Sequence, residues 1–237
     1  MQRFIARSQS SKKLLNTLRI SANLPLNILI VGEKGSGKRT LAKEVFGELE
    51  FFTPLQIEQM QNYPATLGIE GIGEVKNLTS LFTKLQGHRV IALSEEPHPE
   101  LEEYFPVILH LPPLAQRPED FEALKTHYIR QAQKDLGLKE FTCTINNNLN
   151  AIELRKEIYK KAVMQTLTDK EVMEFLEEFF GQKFPQKYKT FIQYLDIPLL
   201  KAAKKRYGSV LAMAKALHLN RATLTNKLKK YGLKDKR

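Results

Sequence analysis

The residues best suited to chemistry form one short run: Gly32, Glu33, Lys34, Gly35, Ser36, Gly37, Lys38, Arg39 and Thr40. Glycines at 32, 35 and 37 let the backbone curl tightly and aim its N–H groups inward, and Lys38 adds a point charge. This GxxxxGK spacing suits a loop that cradles phosphates, with the next helix lending its positive end. After such a lysine a Ser or Thr hydroxyl usually helps to hold Mg2+. Arg39 stands there instead, and Thr40 comes one place late. ATP or ADP is the expected ligand. The part played by Mg2+ is left open, and hydrolysis needs groups from elsewhere in the chain.

A second set lies at the other end. Residues 187–237 hold 14 Lys/Arg and 2 Asp/Glu, against 23 and 24 in residues 1–186, so the net charge of +11 arises in this tail. Such a module gains affinity for a polyphosphate by counterion release before any base is read. Its residues also carry helix punctuation. Helices are expected over 197–207, 210–217 and 221–231, with Gly208 and Gly232 ending two of them and Ser209 and Asn220 as N-caps. The last two, joined through His218-Leu219-Asn220, make a helix-turn-helix pattern. Ala214 allows a close crossing, and Leu217, Leu219, Leu224 and Leu228 supply a small core. The residues expected at DNA are Ser209, Asn220, Arg221, Thr223, Thr225, Asn226 and Lys227. Lys230, with Lys229, Lys234 and Arg237, is assigned to phosphates. Double-stranded DNA is the expected partner. Apolar residues over 192–200 suggest a homodimer through this domain.

The elements that must position the glycine run read as α/β. Residues 27–31 (NILIV) form a short β-branched run typical of a buried parallel strand, and 41–49 read as the helix that follows the turn. Residues 89–93 (RVIAL) and 107–111 (VILHL) are two more strands, the latter stopped by Pro112 and Pro113, and 65–69 gives a weaker strand signal. Helices are expected at 10–20 and 77–85. From Pro118 the pattern is helical throughout, with further helices at 154–167 and 171–180; a linker is expected at 181–185.

Composition narrows the class. No apolar run approaches the ~20 residues needed to cross a bilayer, the sequence opens without a signal-peptide pattern, and a membrane partner is not expected. Cys143 is the sole cysteine, and the five histidines have no metal-ligand spacing. A cytoplasmic setting is expected, with no structural zinc.

Several stretches together resemble the NtrC-type bacterial enhancer-binding proteins, the AAA+ activators of sigma-54 polymerase. Residues 32–38 followed by a charged residue resemble the family's GExGxGKE loop, with Arg39 reversing the sign of the usual Glu. His110-Leu111-Pro112-Pro113-Leu114, with Arg117 and Glu119-Asp120, resembles HLPPLRERxEDI. Ile5-Ala6-Arg7-Ser8 resembles the IGxS that opens the AAA+ domain, and LNRATLTNKLKKYGL resembles a Fis-type recognition helix. The resemblance implies a P-loop AAA+-like parallel sheet over 1–114, a helical lid over 115–182, and a small all-α Fis-type helix-turn-helix domain over 187–237, acting as a dimer.

The middle of the chain departs from that pattern. Residues 38–111 form a shortened stretch, and the GAFTGA loop that grips the sigma factor is absent. Contact with sigma-54 is therefore not expected, and RNA polymerase is left open as a partner. The Walker B stretch aligns with residues 68–74, putting Glu70 at the metal-side acid and Gly71 where a Glu polarises water. Ser94 stands at the sensor I position, residues 101–105 (LEEYF) carry no arginine finger, and Ile152 replaces the sensor II arginine. Phosphoryl transfer depends on positioned water and neutralised γ-phosphate charge, so a DNA-binding regulator with weak or absent hydrolysis is expected and no catalytic residue is assigned. Two alternatives stay open. One is an ATP-hydrolysing sigma-54 activator in which Glu74 or Glu95 positions water; the other is a nucleotide-sensing dimerisation scaffold.

Overall fold

A computed structural model describes residues 3–233. These fall into two compact units, one running to Thr166 and one starting at Leu167.

The first unit is built on five parallel strands: β1 (Ile28–Val31), β2 (Phe51–Phe52), β3 (Thr66–Glu70), β4 (Arg89–Ser94) and β5 (Val107–His110), in the order β2-β3-β4-β1-β5. Alternate residues of β1 serve opposite faces. Ile28 and Ile30 join Leu15 and Leu18 of α1 (Gln9–Ala22) and Leu41 of α2 (Lys38–Phe46). Leu29 and Val31 join Ile57 of α3 (Pro54–Gln59) and Leu81 of α4 (Leu78–Lys84). Helices cover both faces, which is why this strand is an unbroken apolar run. The weak strand signal at 65–69 corresponds to β3.

Helices α5 (Pro118–Asp135) and α6 (Ala151–Thr166) pack around Phe121, Tyr128, Leu154 and Ile158. The expectation of helix throughout from Pro118 fails here. Gly137 takes φ +64°, and the chain runs without regular structure to Asn150, seating Phe141 and flanking apolar residues on the α5–α6 core.

The strand-and-helix pattern around the glycine run also differs from expectation. Helix α2 starts at Lys38, because Gly37 at φ +104° turns the chain straight into it, and stops at Phe46, because Gly47 is left-handed. Strand β2 and helix α3 went unread. A two-residue strand shows no periodicity, but Thr53 and Gln56 form a capping box around Pro54, a signal present in the sequence.

The second unit contains α7 (Asp169–Gly181), capped by Thr168 with Glu171, then α8 (Tyr188–Tyr207), α9 (Val210–Ala216) and α10 (Arg221–Lys230). Helix α8 begins nine residues before the expected start at 197. Pro198 lies inside the helix. The upstream turns are held by Phe191 and Tyr194 packing edge-on against Phe180 and Phe179. Leu200, Ala203, Met213, Ala214, Leu224 and Leu228 form the core of α8–α10.

Candidate functional site

The glycine run closes over the end of β1. Gly32 N–H donates to the Ser94 carbonyl at 3.1 Å, and a Cβ on Gly32 would come within 2.6 Å of the Leu111 carbonyl oxygen. Only glycine permits that approach. Gly35 (φ +75°) and Gly37 (φ +104°) make the left-handed turns. No side chain caps α2, so the N–H groups of its first turn remain available to an anion. Lys38 Nζ donates to the carbonyls of Gly32 (2.5 Å) and Glu33 (3.0 Å), folding the ammonium onto the loop. Burial lowers its pKa, opposed by the carboxylates of Glu95, Glu70 and Glu33.

Around this loop lies a cavity of about 770 Å³. Of the run, Lys34, Gly35, Gly37, Lys38, Arg39 and Thr40 line it. Gly32 and Glu33 do not line it, but their carbonyls accept from Lys38, which does. Ser36 is buried, its carbonyl held by Arg117 at 2.9 Å. The sheet side adds Glu70, Gly71, Glu74, Ser94 and Glu95, and the helical side adds Tyr128, Ala151, Ile152 and Arg155. The Ser94 hydroxyl donates to the Glu96 carbonyl at 2.6 Å. Gly71, at φ +77°, brings no carboxylate to this wall. In the segment without an arginine finger, Leu101 and Phe105 are buried and Tyr104 stacks on Phe82 at 4.2 Å, so it serves packing.

Arg155 was missed because the motif alignment stopped at Ile152. One helical turn separates the two on α6, so they share a face, and Arg155 brings a cation to the cavity wall, its guanidinium 5.4 Å from the Tyr159 ring.

The two family-like motifs outside the cavity prove to be partners. Asp120, 2% exposed, accepts from the backbone of Arg7 (2.5 Å) and Ser8 (2.7 Å) and from the hydroxyls of Ser8 (2.9 Å) and Ser11 (2.5 Å). Burial alone would raise its pKa, yet the bonds from Ser11, Ser8 and Arg7 hold it below the ordinary value. Arg117, also 2% exposed, joins this network through Ser11 (3.3 Å) and Asp120 (3.5 Å). A third link comes from α6, where Ala151 N–H donates to the Gly35 carbonyl at 3.1 Å. The N-terminal segment, the glycine run and the helical part thus meet in one polar cluster.

In the second unit, Arg221, Thr223, Asn226 and Lys230 are exposed on α10. Three other residues expected at DNA have local partners. Ser209 caps α9 by accepting from Ala212 N–H at 3.2 Å, and Asn220 caps α10 by accepting from Ala222 N–H at 2.8 Å. The Thr225 hydroxyl donates to the Arg221 carbonyl at 2.8 Å. Lys227, expected among the DNA-contacting cations, instead pairs with Asp196 of α8 at 2.6 and 2.7 Å, and Tyr231 donates to the same carboxylate at 2.9 Å. Lys234 and Arg237 lie outside the described residues. Among the described residues no helix is long and apolar enough to cross a membrane.

Residues 4–62 match the Sigma-54 interaction domain family, and residues 186–234 match a helix-turn-helix domain family. No curated protein matches the chain. Among solved structures, NtrX from Brucella abortus in complex with ATP superposes with a TM-score of 0.58 at 15% identity, covering 98% of this chain and 70% of that one. The same protein in complex with ADP gives 0.56 at 16% identity, covering 97% and 70%. This likeness supports the AAA+ type of α/β fold. With a sigma-54 interaction segment matched at one end, a helix-turn-helix domain matched at the other and that fold between them, the chain is similar in make-up to the NtrC-type enhancer-binding proteins, which points to a DNA-binding regulator related to sigma-54-dependent transcription.

Proposed function

We propose that this regulator binds a specific double-stranded DNA site through α10 and uses its P-loop cavity to bind ATP or ADP as a regulatory ligand, with little or no hydrolysis. The observation that carries the DNA reading is the exposed row Arg221, Thr223 and Asn226 at the start of a capped helix in a helix-turn-helix. Arg221, Thr223 and Asn226 read base edges. Lys230 contacts phosphate, while Ser209 and Asn220 fix the ends of the helices that approach DNA. Thr225 and Lys227 hold α10 in shape.

Mobility-shift titration tests this. Arg221→Ala and Asn226→Ala should each weaken specific binding by about 1–3 kcal/mol, whereas Lys230→Ala should weaken binding to all sequences alike. Variants that bind like the parent would defeat the reading.

A homodimer through the second unit fits the apolar surface it exposes on α7 and α8, including Met173, Phe175, Tyr188, Leu195 and Leu199. Two copies would then present two α10 helices to successive turns of a palindromic site.

Weak hydrolysis follows from chemistry missing at the cavity: Gly71 in place of the water-polarising acid and Ile152 in place of the sensor arginine. RNA polymerase is a proposed partner. Between the glycine run and β3 the chain holds only α2, β2 and α3 with short connections, which supports a reading without a sigma-54-gripping loop. The rival reading, an active ATPase, is favoured by Glu74 and Glu95 on the cavity wall. Turnover abolished by Lys38→Ala would establish it.

A further inference from the structure

The position after the P-loop lysine and the end of β3 are where a divalent cation is ordinarily held beside a nucleotide's phosphates, by a hydroxyl and a carboxylate. Here those positions carry Arg39 and Glu70, and the two side chains are ion-paired with each other across the cavity. The Arg39 guanidinium also lies 5.2 Å from the centre of the Phe51 ring, which limits where it can swing. Both side chains are half exposed, so the pair faces solvent and any ligand entering the cavity.

This donor set does not fit Mg2+. The first oxygen donor is replaced by a permanent cation, which repels a metal ion, and the carboxylate that remains is already neutralised by that cation. Thr40 lines the cavity but is one residue out of place along α2, about 100° round the helix. Among the described residues no three His, Cys, Asp or Glu side chains assemble into a metal-holding group.

We propose that this site binds a nucleoside di- or triphosphate without a divalent metal, the Arg39 guanidinium taking the place of the ion. A guanidinium presents five N–H donors in a planar fork suited to phosphate oxygens. Glu70 occupies one side of the fork and holds it in orientation. The donors left over face the cavity beside Lys38, and the charge they bring to the β-phosphate is fixed to the protein rather than recruited with the ligand. The inference rests on the nucleotide-binding reading above and fixes the form of ligand that the site accepts.

The test is calorimetric titration of the full-length protein with ADP, once in excess MgCl2 and once in excess EDTA. The parent should bind with affinities equal within about threefold in the two buffers. Arg39→Thr, which restores a hydroxyl and frees Glu70, should lose about tenfold or more in EDTA and recover with Mg2+. Parent binding that needs Mg2+ overturns the proposal and leaves nucleotide binding intact. An Arg39→Thr protein that binds as well as the parent in EDTA also overturns it. Absence of heat with ADP in both buffers overturns the nucleotide reading itself. The comparison of buffers on the parent decides the matter even if the variant fails to fold.

Discussion

The Arg117 guanidinium donates to the Ser36 carbonyl at 2.9 Å, so the residue that opens α5 grips the P-loop from behind. The same side chain touches Ser11 of α1 and Asp120. Burial lowers its pKa, opposed by Asp120 and Glu33, but an arginine stays charged under any condition the fold survives. Arg117→Ala removes one partner of a buried charge pair and leaves Asp120 uncompensated, and such losses cost about 3–5 kcal/mol. Urea unfolding should show that loss for the first unit. Nucleotide affinity should fall as well, because the Ser36 carbonyl loses the donor that fixes the turn.

Asp120 makes the same cluster sensitive to acid. Its pKa is held below the unfolded value by the bonds it accepts. A depressed folded pKa adds stability that is fully present above the unfolded pKa, about 3.9, and is lost as pH falls through the folded value. Asp120→Asn lacks that titration. The variant should be less stable than the parent at pH 7, and the gap should close in acid, below about pH 4. Unfolding curves that keep a constant gap from neutral to acid pH would refute this account.

Gly35 is the position at which the P-loop touches the start of α6. A Cβ there would lie 2.7 Å from Asn150 Oδ1, the atom that caps α6 by accepting from Ile152 and Glu153 N–H at 3.0 Å each. Its φ of +75° is costly for a side chain as well. Gly35→Ala should cost about 1–3 kcal/mol, through backbone strain and a displaced cap. Thermal unfolding checks the size, and a nucleotide titration should show weaker binding, because Ala151 on the same turn lines the cavity.

How much of this was legible in the sequence depended on range. The P-loop, the buried strand before it, the capping box at Thr168 and the helix-turn-helix spacing are local signals, and they appear as read. Asp120 could be matched to a motif, but its bonds to Arg7 and Ser8 span more than a hundred residues, and no local pattern carries them. Arg155 was hidden because a linear alignment counts positions, whereas a helix brings residues three apart onto one face. Helix α8 extends upstream of the apolar spacing that marks 197–207, because its first turns are held by tertiary packing of Phe191 and Tyr194, which local spacing does not show. Lys227 is placed at DNA by its position near the start of the last helix, and that local position does not reveal Asp196, 31 residues away in sequence.

That last pair separates two kinds of lysine on one helix. Lys227 and Tyr231 both donate to Asp196, and these bonds, the one from Lys227 foremost, depress the Asp196 pKa against the effect of burial. The ammonium of Lys227 is therefore engaged within the domain, while Lys230 is exposed and lies 4.9 Å from the Tyr231 ring. A cation that neutralises a DNA phosphate contributes close to one unit to the slope of log affinity against log salt. Lys230→Ala should lower that slope by about 1 with little change in stability. Lys227→Ala should leave the slope near that of the parent and instead loosen the link between α8 and α10, seen as a lower melting temperature of the second unit. Binding isotherms over a series of KCl concentrations, run beside thermal melts of both variants, distinguish the roles. Equal slope losses for the two variants would show that Lys227 leaves Asp196 for phosphate when DNA is bound.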